Sequence, residues 1–299
     1  DNGGVAPIPI RDRVEQQVAD KDSIINYLES HYYNSSEFDG SNPSVSSKDV
    51  VITALVDGES VPDGHKLLSE DYITKKVTFA DTDYEIFYID LNNKSNDPES
   101  SPTFADNVLV TYEGFTLDDD VFDSAITPTN FDLTSLIPGW RKVLPEFKVS
   151  QSFIENEDGT ISYVNHGIGI MFVPSGLAYF SSGSVGIGAY EPINFKFDLL
   201  QKYENDHDND NVPSYKEDWN TLDGEFTINS AVGVHDGDDT DGDRTPDYFD
   251  SDDDGDGIPT INEDLDGPNG TGDGDPTNDI GKNGIPKYLD PEETESNRL

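Results

Sequence analysis

Apolar and polar residues alternate in several stretches of the chain, each of which predicts a strand, and one stretch of helical spacing precedes them. Over residues 11–33, Ile25, Leu28 and His31 or Tyr32 fall on one helical face, with Asp22 as the expected N-cap. Residues 48–56 (KDVVITALV) and 73–79 (ITKKVTF) read as strands, separated by a turn at Pro62, Asp63 and Gly64. The pattern YEIFYIDL over 84–91 predicts another, and after a polar loop (92–103) so does 107–112. Leu117, Asp118, Asp119 and Asp120 supply a turn before Val121, Phe122 and Asp123. A short helix is expected within 139–148, ended or kinked by Pro145. Asp158-Gly159, between apolar flanks, marks a hairpin within 149–166, and 193–200 forms a last strand. Beyond Lys202 the periodicity stops, apart from LDGEFTI (222–228), which looks like a hairpin within a 219–234 insert.

Composition locates the part without a large core. Hydrophobic residues are 33% of the 299, and 62 Asp and Glu face 18 Lys and Arg, a formal charge of −44. Such a surface repels nucleic acid and attracts cations, so nucleic-acid binding is excluded. With no cysteine, neither a disulfide framework nor a thiolate zinc site can form. No apolar run reaches the roughly 18 residues of a membrane helix; the richest, 167–180, is interrupted by glycines and a proline. The opening Asp-Asn-Gly-Gly reads as a tether over 1–10. It resembles the segment after the lipidated cysteine of an exported bacterial lipoprotein. The expectation is therefore an exported protein of a Gram-negative bacterium, periplasmic or at the outer membrane and cell surface, with a lipid anchor upstream of residue 1. Motifs of hydrolases, phosphate loops, zinc proteases and dinucleotide folds are absent, and the five histidines are scattered.

Four blocks in the middle of the chain carry a family resemblance: VLVTYEGFTLDDDVFDS (108–124), FDLTSLIPGW (131–140), VPSGLAYF (173–180) and PINFKFDLL (192–200). In that order they resemble the FKBP-type peptidyl-prolyl cis–trans isomerases, the match running over 83–203 with 149–166 as an insertion. The resemblance implies a pocket floored by Trp140 and walled by Tyr112, Phe122 and Phe195. Leu136 and Ile137 would stand beside it, Ile137 offering its backbone N–H to a substrate carbonyl. Tyr179 would supply a hydroxyl, Asp123 a buried acid beside Phe122, and Ile187 an apolar loop contact. Two departures stand out. Thr129 replaces a common aromatic or aliphatic residue, thinning one wall, and Phe180 replaces a usual glycine, which should reshape the adjoining loop. The chemistry suits such residues. Rotation about Xaa-Pro meets a resonance barrier of ~18–20 kcal/mol, and the twisted imide is less dipolar, so a dry aromatic pocket favours it without a nucleophile.

The acidic segment repeats one phrase. Asp206, Asp208 and Asp210 are followed by Pro213 and Glu217; Asp239, Asp241 and Asp243 by Pro246 and Asp250; Asp252, Asp254 and Asp256 by Pro259 and Glu263. A worn copy has Asp279, Gly281 and Asn283, then Pro286 and Asp290, and should bind most weakly. Oxygen ligands at loop positions 1, 3, 5 and 12 have the spacing of a calcium loop. Proline at position 8 removes the N–H by which paired EF-hand loops bridge. The copies resemble thrombospondin type 3-like repeats, the second and third beginning 13 residues apart. With so little apolar material, calcium binding and folding should be one event.

The sequence thus predicts an α+β chain, with an antiparallel FKBP-like sheet curled over a short helix. The expected divisions are a tether (1–10), an N-terminal helix and strands (11–82) that either join the isomerase sheet or form a small unit of their own, the isomerase domain (83–203) and the calcium repeats (204–299). The N-terminal helix is expected to pack on its own domain. The expected activity is peptidyl-prolyl isomerisation of exported polypeptides, with no catalytic cofactor and structural calcium in the tail. The alternatives are a non-catalytic module that binds proline segments and a calcium-dependent surface scaffold or adhesion protein.

Overall fold

A computed structural model describes residues 9–298 except 43, 93–96, 98–99, 220–221, 229–230, 236 and 267–271. Most of the expected tether therefore lies outside the described residues. The chain divides into two compact units: Asp1–Pro102 with Val108–Lys202, and Thr103–Asn107 with Tyr203–Leu299.

In the first unit, α1 (Arg13–Ser30) starts at Asp12 rather than at the expected Asp22. The Asp12 carboxylate accepts the N–H groups of Val14 and Glu15, two of the donors that a helix start leaves without partners. The helix ends where β1 (His31–Tyr33) begins, so His31 and Tyr32 lie on a strand. β1 pairs antiparallel with β2 (Ile52–Ala54) and β3 (Lys66–Leu67) in a small sheet. Residues 48 and 49, expected to be extended, fall instead in the 3-10 turn Ser47–Asp49, with reciprocal capping by Ser46 and Asp49.

The main sheet has six strands in the order β4-β5-β10-β11-β6-β7. These are β4 (Ile73–Phe79), β5 (Thr82–Asn92), β6 (Asn107–Thr116), β7 (Val121–Asp132), β10 (Gly167–Val173) and β11 (Ile193–Tyr203). Between β7 and β10 lie α2 (Pro138–Val143), whose continuation at Pro145 is a 3-10 turn, and the hairpin of β8 (Ser152–Glu155) and β9 (Ile161–Val164). Gly159, at φ +81°, turns that hairpin as its sequence predicts. β4 pairs with β5 along its whole length, so it belongs to the main sheet.

The sheet is covered on both faces, which explains the unbroken apolar run of β10, buried at every residue. Tyr84, Ile86, Tyr88, Met171, Val173, Phe195 and Phe197 point one way, onto α2 and its Trp140, Val143 and Leu144. Phe87, Ile89, Leu91, Ile168, Ile170 and Phe172 point the other way, onto Ile24, Tyr27 and Leu28 of α1. The helix therefore packs on its own unit.

The second unit has very little apolar material: Val212, Tyr288 and Leu289, with Ile285 against them. The expected hairpin at 222–228 is absent. That stretch has no strand and is held instead by bonds between Thr227 and Asp238.

Candidate functional site

The aromatic residues of the four sequence blocks meet on the α2 face of the sheet. Pro138 sits at the first turn of α2, where its missing N–H costs nothing, and Trp140 follows two residues on, 4% exposed. The Trp140 ring centroid lies 4.9 Å from that of Phe195 on β11 and 5.7 Å from that of Tyr112 on β6. Phe122 on β7 meets Phe195 edge-on at 5.7 Å. These are the tilted and edge-to-face geometries that aromatic quadrupoles favour. Gly114 makes the approach possible, because a Cβ there would fall 2.6 Å from the Phe122 ring and 2.9 Å from that of Phe195. Leu136 and Ile137 are half-buried against the same cluster, Ile137 as the residue that caps α2. Ile187 is buried in it, on a tight turn closed by the Ser184–Ile187 bridge.

Two expectations about this cluster need correction. Asp123 is exposed, not buried. It sits on the sheet's edge strand, accepts the Tyr112 phenol at 2.6 Å and accepts the Ser124 N–H at 2.8 Å. Burial, and then this bond to Asp123, pushes the Tyr112 phenol up, so it stays protonated and donating. Nor is the wall thin beside Thr129. Phe131, two residues further along β7, brings its ring to 5.8 Å from Tyr112.

Tyr179 is 36% exposed and follows the 3-10 turn Ser175–Leu177. That turn is fixed from α1. Buried Asp20 accepts the Ser175 N–H at 2.8 Å and its hydroxyl at 2.6 Å, and Arg13 donates to the Gly176 carbonyl at 3.1 Å.

On the opposite face, a cleft of about 680 Å³ opens beside Thr111, Lys196 and the hairpin residues Ile154 and Ile161. Its polar floor centres on buried Asp198, which accepts from Ser47 (N–H 2.8 Å, hydroxyl 2.6 Å) and Thr111 (2.6 Å) and pairs with His166 Nε2 at 2.9 Å.

In the second unit one set of bonds builds each acidic loop. The position-1 carboxylate accepts the position-6 N–H: Asn211 to Asp206 (3.1 Å), Arg244 to Asp239 (2.9 Å) and Gly257 to Asp252 (3.1 Å). The position-5 carboxylate accepts the position-7 N–H: Val212 to Asp210 (2.7 Å), Thr245 to Asp243 (2.6 Å) and Ile258 to Asp256 (2.6 Å). Each proline opens a 3-10 turn, whose first N–H returns to the carbonyl before position 1: Ser214 to Asn205, Asp247 to Asp238 and Thr260 to Ser251. Carboxylates separated by alternate residues thereby converge.

Four groups bring one ligand atom per residue within 4.8 Å of each other: Asp208, Asp210, Glu217 and Asp253; Asp239, Asp241 and Asp243; Asp252, Asp254 and Asp256; Asp264, Asp266 and Asp273. Asp206, Asp250 and Glu263 fall outside these groups. Both Asp206 oxygens accept backbone N–H groups instead, and Asp250 accepts that of Asp252. Glu263 is fully buried, its two oxygens have no hydrogen-bond partner, and it feels Asp254 and Asp256.

The fourth copy does not gather its carboxylates. Asp279 accepts the Leu265 N–H at 2.6 Å and lies 3.5 Å from Lys287, while Asn283 donates to Asp290 at 2.7 Å. Asp253, Asp264, Asp266 and Asp273 were missed from the sequence. The signal for Asp253 was the unbroken Asp252-Asp253-Asp254 run, since the equivalent position holds His207 in the first loop and Thr240 in the second.

The chemistry of these groups fits a hard cation. Asp208, Glu217 and Asp253 each present two buried oxygens without a hydrogen-bond partner. Burial, and after it the neighbouring carboxylates, pushes Glu217 up to about 10 and Glu263 up to about 9. Groups so destabilised as anions are those a divalent ion would relieve.

Comparison with known proteins gives separate matches for separate parts of the chain. The family model BamM_C, BamM C-terminal, matches residues 207–274. Over 104 residues the chain is 35% identical to the peptidyl-prolyl cis-trans isomerase Mip of Coxiella burnetii, covering 33% of this chain and 38% of that protein's length. A solved peptidyl-prolyl cis-trans isomerase of Pseudomonas syringae pv. tomato aligns over 66% of this chain and 100% of its own, at 16% identity and a TM-score of 0.36. FkpA of Escherichia coli aligns over 40% of this chain and 48% of its own, at 25% identity and a TM-score of 0.32. The chain thus shares about a third of its length with an isomerase sequence, while its acidic segment matches a different family.

Proposed function

We propose that this chain is a peptidyl-prolyl cis–trans isomerase that acts on Xaa-Pro bonds of exported polypeptides and carries a calcium-stabilised segment. The observation that supports the catalytic reading is the ring cluster: Trp140 against Phe195 and Tyr112, with Phe122 beside them. A proline ring laid on Trp140 meets apolar surface on several sides. Its imide loses resonance and dipole as it twists, so water exclusion lowers the twisted state relative to the planar one. The Ile137 N–H holds the substrate carbonyl, the Tyr179 phenol contacts the chain beside the proline, and Asp123 keeps Tyr112 in place. The similarity to Mip supports the same activity.

In the acidic segment, Asp208, Asp210, Glu217, Asp239, Asp241, Asp243, Asp252, Asp254, Asp256 and Glu263 would hold calcium, which neutralises carboxylates that otherwise repel. Calcium near millimolar levels, as outside the cytoplasm, suits loops of modest affinity. Among the described residues no helix is long and apolar enough to cross a membrane.

The test is NMR exchange on a short Xaa-Pro peptide, where uncatalysed interconversion takes ~10–100 s. The intact chain should accelerate it, and Trp140→Ala should lose at least about tenfold of the acceleration, with unit 1 still folded. No acceleration by the wild type would leave a proline-binding module or a surface scaffold.

A further inference from the structure

The first acidic loop is not completed by its own residues alone. Asp208, Asp210 and Glu217 share their cluster with Asp253, position 2 of the third loop and far beyond Glu217 in the chain. Asp210, Glu217 and Asp253 are each 1% exposed. Both oxygens of Glu217, both of Asp208 and both of Asp253 are buried without a hydrogen-bond partner, as is Asp210 Oδ2. No lysine or arginine forms an ion pair with any of the four among the described residues. Four buried carboxylates cannot all keep their charge side by side without a cation.

The surroundings make the spot central to the second unit. Asp247, position 9 of the second loop, is 1% exposed and lies close enough to act on both Glu217 and Asp253, but its own oxygens are taken by the Thr240 N–H (2.7 Å) and hydroxyl (2.8 Å). Tyr288, from the last loop, is 2% exposed and lies close enough to feel the charges of Asp253, Glu217 and Asp210. Asp253 is itself fixed by its backbone N–H to the Thr260 hydroxyl at 3.3 Å. In the first and second loops, position 2 (His207, Thr240) bonds position 9 of its own loop, whereas Asp253 brings its carboxylate into the first loop's cluster.

We propose that Asp208, Asp210, Glu217 and Asp253 jointly hold one hard divalent cation of calcium size, which clamps the third acidic loop to the first. The cluster supplies up to eight carboxylate oxygens, within the range calcium accepts. The ion is the nearest thing this unit has to a core, since its apolar core comprises three residues. The proposal rests on the reading of the acidic segment as calcium-binding and extends it from separate loops to a shared site.

The test uses the full chain, with calcium stoichiometry from native mass spectrometry and amide exchange read across residues 204–298. Asp253→Asn keeps the shape and removes one ligand. It should bind one ion fewer, or bind one ion about 10–100-fold more weakly, and lose protection in 206–217 as well as around 253. Asp241→Asn in the second loop should instead lose an ion while leaving 206–217 protected. If Asp253→Asn retains the wild-type stoichiometry, affinities and protection, the shared site is wrong while the calcium reading stands. If the wild type binds no calcium at millimolar concentration, the calcium reading itself falls. Should Asp253→Asn fail to fold, a calcium titration of the wild type decides. Residues 206–217 and 252–256 should gain protection at one common midpoint, and midpoints more than tenfold apart would overturn the clamp.

Discussion

Phe180 adopts φ +45°, a left-handed conformation that costs a residue with a Cβ about 1–2 kcal/mol and that glycine takes freely. The backbone there takes a turn that glycine adopts freely, and the ring is accommodated by its neighbours. Arg13 stacks its guanidinium 4.2 Å from the Phe180 ring, and Tyr190 meets that ring edge-on at 5.1 Å. Neither partner was legible from the sequence, because both lie far from Phe180 in sequence or on another loop.

Asp198 shows the same limit and carries a pH prediction. Burial opposes its charge, but hydrogen bonds from His166, Ser47 and Thr111 outweigh that and hold it below the usual carboxylate range. Its stabilising contribution is therefore complete above the unfolded value of about 3.8 and is lost as pH falls through the lower folded value. Asp198→Asn should cost about 3 kcal/mol at pH 7 by urea unfolding, with a gap from wild type that narrows in more acid solution. An equal gap at pH 7 and at pH 3 would show that the charge is not what matters.

At the scale of elements, α1 serves as a brace for the loop that carries Tyr179. Asp20 is raised by burial, yet it accepts both the Ser175 N–H and hydroxyl, as well as Gln16 at 2.6 Å. Asp20→Ala should cost about 1–3 kcal/mol, speed amide exchange across 175–180, and lower kcat/KM on a proline peptide more than it lowers overall stability at working temperature. Unchanged exchange in that loop would make the helix a cover and nothing more.

The strands were legible to within a few residues because their periodicity of two is written into β4, β5 and β11. The helix start was not. Asp12 and Asp22 both precede apolar spacing, and an N-cap is worth only about 1 kcal/mol, too little to choose between them without the tertiary contacts of Gln16, Gln17 and Asp20. In the ring cluster the family-like blocks located the rings, whereas the exposure of Asp123 followed from β7 being an edge strand, which no local pattern encodes. For the acidic loops, spacing gave most of the carboxylates that converge within a loop; Asp253 needed the fold.

For the whole molecule, the two units draw their stability from different sources. The first buries apolar side chains on both faces of a sheet. The second has an apolar cluster of three buried residues among those described to set against an ordering cost of about 1–2 kcal/mol per residue. Excess chelator should therefore abolish amide protection across 204–298 while β10 and β11 stay protected, and calcium should restore it. Retained protection in chelator would mean that the loops order without a cation.

The short segment Thr103–Asn107 belongs with the second unit although strands of the first flank it. Asn205 donates to the Ala105 carbonyl at 3.0 Å, and the Phe104 ring lies 5.2 Å from that of Phe226. The consequence is one of timing during synthesis. At about 5–20 residues per second, the roughly 100 residues between this segment and its partners take on the order of 5–20 s to emerge. For that interval the contacts of this segment with Asn205 and Phe226 cannot form, so the strands of the first unit are synthesised before the second unit can claim its own first residues.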